Sequence, residues 1–226
     1  MPDWLSPTVR ARFVRRYVPS RKVVLDQTER YRAWWDAQNE RALTADGPLW
    51  IAFGDSIAQG IGASAPDHGY VGQLLARLCA ADGRPWRVLN VSYSGARLGD
   101  VRRKQLQAAR ARLPAAEVVT CGVGVNDLIH SGFRHAPGRI RAITRELPSH
   151  AVISTVPHGF SLWRTVTYNA IVRREARRSG LRVADVWAHT RRPYTGKLCA
   201  DHFHPSDDGH ADWCAAFADA LGLPPT

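Results

Sequence analysis

Four short segments, far apart in the chain, carry the residue types that acyl transfer needs. They are Gly54-Asp55-Ser56-Ile57, Ser94-Gly95, Gly124-Val125-Asn126-Asp127 and Asp201-His202-Phe203-His204-Pro205. A serine hydroxyl becomes a useful nucleophile only when a base takes its proton, and an imidazole titrating near neutrality suits that task. Ser56 is the candidate nucleophile and His204 the candidate base. Asp201, three residues earlier, could accept the Nδ1 proton and fix the ring so that Nε2 faces Ser56. The intermediate of such a reaction carries negative charge on the former carbonyl oxygen, and losing one fixed donor to it costs about 10²–10³ in rate. The candidate donors are the backbone N–H groups of Ser56 and Gly95 and the side-chain amide of Asn126. Glycine at 95 leaves no Cβ to block an acyl group from that amide.

Each segment alone has an ordinary reading. Ser56 could cap a following helix, Gly95 could be a plain turn, Asn126 could be a helix N-cap, and Asp201 with His204 could be a loop ion pair. Four together, in this order and each beside a predicted element, favour a site. Asp55 and Asp127 read as neighbours that hold the loops. The tail group of Asp201, His202, His204, Asp207, Asp208 and His210 could alternatively bind a metal. No second ligand cluster supports that, and Pro205 fits a turn into a capped helix. The expected site therefore uses no metal and no cofactor.

Five runs must position these residues. Leu49 to Phe53, Arg87 to Val91, Glu117 to Val123, Ala151 to Val156 and Arg182 to Val186 are β-branched, nearly continuous in apolarity and bounded by turn residues, as buried parallel strands are. Helical patterns lie between and after them, at Tyr70 to Ala81, Asp100 to Leu113, Pro137 to Leu147, Arg164 to Ser179 and Asp207 to Leu221. Strand alternating with helix means a parallel sheet covered on both faces. Ligands in such sheets bind at the carboxyl ends of the strands, near the point where strand order reverses. Ser56, Gly95 and Asn126 all fall just past strand ends.

The segments resemble the four signature blocks of the SGNH hydrolases, the GDSL-type esterase and lipase superfamily. The resemblance covers roughly residues 48 to 222, with Ile57 where the family name implies leucine. It implies a flavodoxin-like, three-layer α/β/α sandwich around a five-stranded parallel sheet. It also implies that Ser56 is the nucleophile, Asp201 and His204 the acid and base, and Gly95 and Asn126 the glycine and asparagine of the middle blocks. The expected activity is that of a serine carboxylic ester hydrolase working through an acyl-enzyme on a small-molecule acyl ester. A thioesterase or a carbohydrate O-deacetylase would use the same chemistry. From another class, a non-catalytic membrane- or polyanion-binding protein could retain the site as a relic.

A chain of 226 residues suits one well-buried domain, and 45% hydrophobic with 23% charged residues is ordinary for a globular protein. The formal charge of +11 comes mostly from arginine, with lysine only at Lys22, Lys104 and Lys197. Basic residues are not interleaved with aromatics as in single-strand binders, so no nucleic-acid partner is expected. No apolar run approaches the ~18 residues of a membrane span, and no signal-peptide h-region is recognisable, so the cytoplasm is the expected address. The four cysteines show no paired spacing, and Cys121 and Cys214 read as core thiols.

Residues 1 to 47 differ in texture and are read as a basic, then helical, leader ahead of a catalytic domain at 48 to 226. Trp4, Leu5, Val9, Phe13 and Tyr17 could form one face of a basic helix resting on an anionic membrane, although Pro7 and Pro19 would limit it to about three turns. Alternatively Trp34 and Trp35, on a helical pattern from Asp26 to Leu43 that also carries Tyr31, dock on the main domain. Gly47-Pro48 ends the helical pattern. The loops 128–138 and 157–165 carry no lid-like insertion, so an open groove is expected, with Phe160, Leu162 and Trp163 as an apolar wall favouring short acyl groups.

Overall fold

The computed structural model describes residues 7–129, 133–191 and 193–224, and of residues 7–23 and 25 only the backbone. Five parallel strands, β1 (Leu49–Gly54), β2 (Arg87–Asn90), β3 (Ala116–Gly122), β4 (Val152–Ser154) and β5 (Arg182–Ala184), form one sheet in the order β2-β1-β3-β4-β5. This is the doubly wound flavodoxin order, and it reverses between β1 and β3. Every residue of β1 is buried, as expected of a strand covered on both faces. Trp50 is fully buried, and its indole N–H donates to Thr120 Oγ1 on β3 at 2.9 Å.

Helices α2 (Tyr70–Asp82) and α9 (Asp207–Leu221) pack together on one face of the sheet. The Tyr70 ring stacks on Phe217 at 5.2 Å and on Trp213 at 5.7 Å between centroids. On the other face lie the run opened by α3 (Leu98–Asp100) and α4 (Leu106–Ala109), then α6 (Ala136–Glu146) and α7 (Leu162–Arg178). Short helices α5 (Val125–Ile129) and α8 (Val186–His189) follow β3 and β5. The architecture is the three-layer α/β/α sandwich expected.

Two elements depart from expectation. The single helix predicted over Asp100 to Leu113 is irregular: a π-helical turn, Val101–Gln105, separates α3 from α4, and a 3₁₀ stretch, Arg110–Ala115, follows. The turn ends at Gln105, whose buried amide is bonded to both backbone groups of Gly54, so a tertiary contact sets the winding there. The leader is longer than its prolines suggested, since α1 runs from Pro7 to Thr44 without interruption. An interior proline costs a ladder bond, and the later part of α1 is anchored by its contacts with β2 and the loops beyond β1. Tyr31 and Trp35 are buried in those contacts and Trp34 is partly buried. Trp4 and Leu5, and the side chains of Val9, Phe13 and Tyr17, lie outside the described residues.

Candidate active site

The backbone leaving β1 turns at once. Asp55 Oδ1 accepts the N–H of Ile57 at 3.0 Å, and the carbonyls of Asp55 and Ser56 accept from Gln59 and Ile61. This winds residues 55–61 tightly and leaves Ser56 at the carboxyl end of the sheet. Asp55 is fully buried, and burial pushes its carboxyl up to about 7, against the lowering pull of the Ile57 N–H and of His204. Gln105 holds the base of the turn, accepting from the Gly54 N–H at 3.0 Å and donating to its carbonyl at 2.7 Å.

The second side is a narrow excursion between Leu198 and Pro205, which form an isolated antiparallel bridge. Within it the Cys199 N–H donates to the His204 carbonyl and the His202 N–H to the Cys199 carbonyl, each at 2.9 Å. His202 sits at φ +55, in the left-handed region. Asp201 organises the rest: its Oδ1 accepts from the backbone N–H groups of Phe203 and His204, each at 2.8 Å, and from the Cys199 thiol at 3.1 Å. Its Oδ2 lies 2.6 Å from His204 Nδ1. Burial opposes the charge of Asp201, but the His204 hydrogen bond and the donors around it hold the carboxyl well below the usual carboxylate range. The other ring nitrogen, Nε2, is 3.0 Å from Ser56 Oγ. All three side chains are buried, each 8% exposed as a residue, just enough to meet a ligand. The excursion seats closely because residue 62 is glycine, at φ +97; a Cβ there would overlap the Pro205 carbonyl and lie 2.8 Å from His204 Cβ.

Gly95 and Asn126 come to the same rim. Gly95 has φ +80, and a Cβ on it would meet no protein atom within 4 Å. The backbone conformation therefore demands glycine here, while the space that a side chain would fill is open. Among the described residues, the Ser56 and Gly95 amides donate to no other group. Asn126 is the second residue of α5, not its cap. Its Nδ2 lies 3.1 Å from the Ala96 carbonyl and 3.4 Å from Asp55 Oδ2. Asp127, next to it, is fully buried, accepting from the Leu98 N–H and from Arg139, as a loop-holding neighbour should.

Of the tail residues read alternatively as metal ligands, Asp207 and His210 have other partners. Asp207 accepts from Ser64 through both carboxylate oxygens. His210 is fully buried, with the Tyr70 N–H at 3.2 Å from Nδ1 and the Ile61 carbonyl at 3.2 Å from Nε2. Burial pushes its imidazole down to about 4. Among the described residues, no group of three or more His, Cys, Asp or Glu side chains could hold a metal ion.

A cavity of about 70 Å³ is walled by Ile57, Val125, Phe160, Phe203, Leu198 and Trp213, among them the chain neighbours of Ser56, Asn126 and His204. Phe160 meets Phe203 edge to face at 6.1 Å, and Phe203 meets the His204 ring at 4.8 Å. Of the three residues expected as an apolar wall, Phe160 lines this cavity. Leu162 and Trp163 do not; they are 67% and 61% exposed, and Trp163 packs edge-on against Phe133. Both stand in the exposed first turn of α7. Gln59 and Gln105 were missed in the sequence. Their neutral amides have no signature except proximity to a strand end and, for Gln105, a place in an arginine-rich helical run that otherwise turns aliphatic residues inward.

The family described as GDSL-like lipase/acylhydrolase matches residues 52–211. Among solved structures, an α/β hydrolase enzyme (LAE5) from the metagenome of Lake Arreo, Spain, superposes with a TM-score of 0.65 at 22% identity, over 80% of this chain and 98% of that one. An acetylxylan esterase from Geobacillus stearothermophilus (Axe2) gives 0.63 at 20% identity, over 80% and 96%. A lipase (Lip_vut3) from goat rumen metagenome gives 0.61 at 17% identity, over 76% and 97%. No curated protein matches the sequence. The chain belongs to the GDSL-like lipase/acylhydrolase family and is a serine hydrolase of the esterase type. No helix among the described residues is long and apolar enough to cross a membrane.

Proposed function

We propose that the protein hydrolyses short-chain carboxylic esters through an acyl-enzyme on Ser56. The observation that carries this reading is the continuous line from Ser56 Oγ to His204 Nε2 at 3.0 Å and from His204 Nδ1 to Asp201 Oδ2 at 2.6 Å. His204 takes the hydroxyl proton as Oγ attacks the acyl carbon. Asp201, held ionised by its donors, keeps the Nδ1 proton in place and stabilises the imidazolium. The carbonyl oxygen becomes an oxyanion between the Ser56 and Gly95 amides. Asn126 Nδ2 turns one hydrogen to it, giving up its longer contact with Asp55 Oδ2. Collapse expels the alcohol, which receives its proton from His204. Water, deprotonated by His204, then attacks the acyl-enzyme and releases the acid, returning Ser56.

The size of the apolar cavity supports short acyl groups, as does the absence of a lid-like insertion from the sequence of loops 128–138 and 157–165, since a long chain would need an enclosing lid. The likeness to an acetylxylan esterase favours one second reading, removal of acetyl groups from a carbohydrate. A fluorophosphonate probe should label wild-type protein at Ser56, and a panel of acyl esters of graded length should show turnover highest for the shortest chains. An unlabelled Ser56 in folded protein refutes the nucleophile. A preference for chains of about ten carbons or more refutes the acyl range, because a fully buried chain gains about 0.8 kcal/mol per methylene and needs a pocket to match.

A further inference from the structure

Four residues of α1, Gln27, Tyr31, Trp35 and Asn39, recur at intervals of four. Each step advances about 40° around a helix of 3.6 residues per turn, so they form one slowly winding stripe. Gln27, Tyr31 and Trp35 bond directly into the loop after β1 and Asn39 to the last residue of β2, and all four lie before residue 52, outside the segment that matches the family.

At the first contact the Gln27 amide is used at both ends: Nε2 donates to the Ala63 carbonyl at 3.2 Å and Oε1 accepts the Gly62 N–H at 3.1 Å. Tyr31, fully buried, donates to the same Ala63 carbonyl at 2.7 Å. Gly62 is the residue pressed against His204 and Pro205. At the second, the Trp35 indole N–H donates to the Gln59 carbonyl at 3.0 Å. Gln59 closes the nucleophile turn by donating to the Asp55 carbonyl, and its side-chain oxygen accepts from Ser94 Oγ at 2.7 Å, beside Gly95. At the third, Asn39 pairs with both backbone groups of Asn90, each at 2.8 Å. The Asn90 side chain in turn donates to the Ala58 carbonyl at 2.9 Å and accepts from Ser92 Oγ at 2.6 Å.

We propose that this stripe is a positioning device for the reaction. It fixes the backbone on which Ser56, Gly95 and His204 stand, so residues of the leader set the turnover rate without touching substrate. The inference rests on the roles given above to those three residues. Misplacing reacting groups by about 1 Å can cost about 10²-fold in rate, and the stripe holds both the loop that follows Ser56 and the end of the strand that leads to Gly95.

The test uses the full-length chain and three near-isosteric changes: Gln27→Glu, which loses the donor to Ala63; Trp35→Phe, which keeps an aromatic ring and loses the N–H; and Asn39→Asp, which loses one of its two bonds. Asp36→Ala, on the exposed face of α1, is the control. Titration with the fluorophosphonate probe counts competent serines, and kcat is expressed per titrated site beside KM and Tm. The expected result is kcat per site lower by roughly 10-fold or more for each stripe variant, with KM and the control unchanged, because the stripe touches none of the apolar cavity wall. A merely structural role would reduce the number of titrated sites and the Tm while leaving kcat per site at the wild-type value, and that result overturns the proposal. Should Trp35→Phe fail to fold, the half-buried Gln27 and Asn39 carry the same comparison. A folded wild-type protein that the probe does not label is a different failure: it sinks the Ser56 reading, and the stripe's role with it.

Discussion

Ser56 and His204 meet at 3.0 Å, yet the two sides of that contact are anchored differently. Ser56 stands two residues beyond a strand that is buried throughout and paired on both sides. His204 stands in a narrow excursion closed by one bridge, with His202 at a left-handed φ and Phe203 partly exposed. Ser56 inherits its place from the core of the sheet. His204 owes its place to a few local bonds, most of them to Asp201. Damage on the first side should therefore appear as lost chemistry in an intact fold, and damage on the second as lost geometry as well.

The largest break in this pairing is removal of either reacting atom. Ser56→Ala and His204→Ala should each lower kcat by roughly 10⁴-fold or more, with the double variant little worse, because the residues act as a unit. Steady-state kinetics on the best ester checks this, and an additive double variant would mean that the two do not work together. Asp201→Asn probes the local anchoring and should cost less, roughly 10³-fold. Its amide oxygen would stay with the Phe203 and His204 N–H groups, turning the NH₂ toward His204 Nδ1. That forces the imidazole proton onto Nε2, facing Ser56, and the wrong tautomer cannot act as base. Wild-type turnover in this variant would show that Asp201 does not orient the ring.

A smaller effect separates the two sides by pH. Burial raises Asp55, on the nucleophile side, from 3.8 to about 7. It lowers His210, behind the turn, from 6.5 to about 4. Between about pH 4 and 7 the folded state holds more protons on Asp55 than the unfolded chain does, so this group makes stability fall as pH rises. From about pH 4 to 6.5 the folded state holds fewer on His210, so that group makes stability rise over nearly the same interval. The two oppose each other in the wild type. Asp55→Asn should leave a Tm that climbs from pH 4 to 6.5, and His210→Gln one that declines from pH 4 to 7. Thermal melts across this range test it, and profiles parallel to wild type in both variants would contradict it. The lowered Asp201 adds stability that is lost only as pH falls below the ordinary carboxylate range, outside this interval.

The site was legible where a functional residue sits within a few positions of a strand end or of its own partner. Gly54-Asp55-Ser56 follows an apolar run, and Asp201 and His204 are three apart, so one short stretch of sequence contains each relation. Gln27, Gln59, Asn39 and Gln105 are equally specific in the fold, but their partners lie 35, 35, 51 and 51 positions away. Nothing in the local pattern of a neutral amide announces such a bond. The wall of the cavity was misjudged for a related reason. Leu162 and Trp163 are apolar and near the right strand, but they stand exposed in the first turn of α7, which hydrophobicity alone does not reveal. The reach of α1 past Pro19 likewise depends on what its later turns rest against.

The Asn39–Asn90 pair has a consequence for solubility. β2 is the last strand on its side of the sheet, and Arg87 and Val91 turn their N–H groups inward to β1. Asn90, out of phase with them, presents its N–H and carbonyl outward, where another chain could add a strand. Asn39 occupies both groups at 2.8 Å. The leader is thus a guard against edge-to-edge growth of the sheet. A chain lacking residues 1 to 45 should associate in a concentration-dependent manner on size-exclusion chromatography and melt several degrees lower, as expected when large buried aromatics worth about 1.5–3 kcal/mol each are removed. A truncated protein that keeps the elution volume expected for its size relative to the full-length chain, and the wild-type melting temperature, would show that the edge needs no cover.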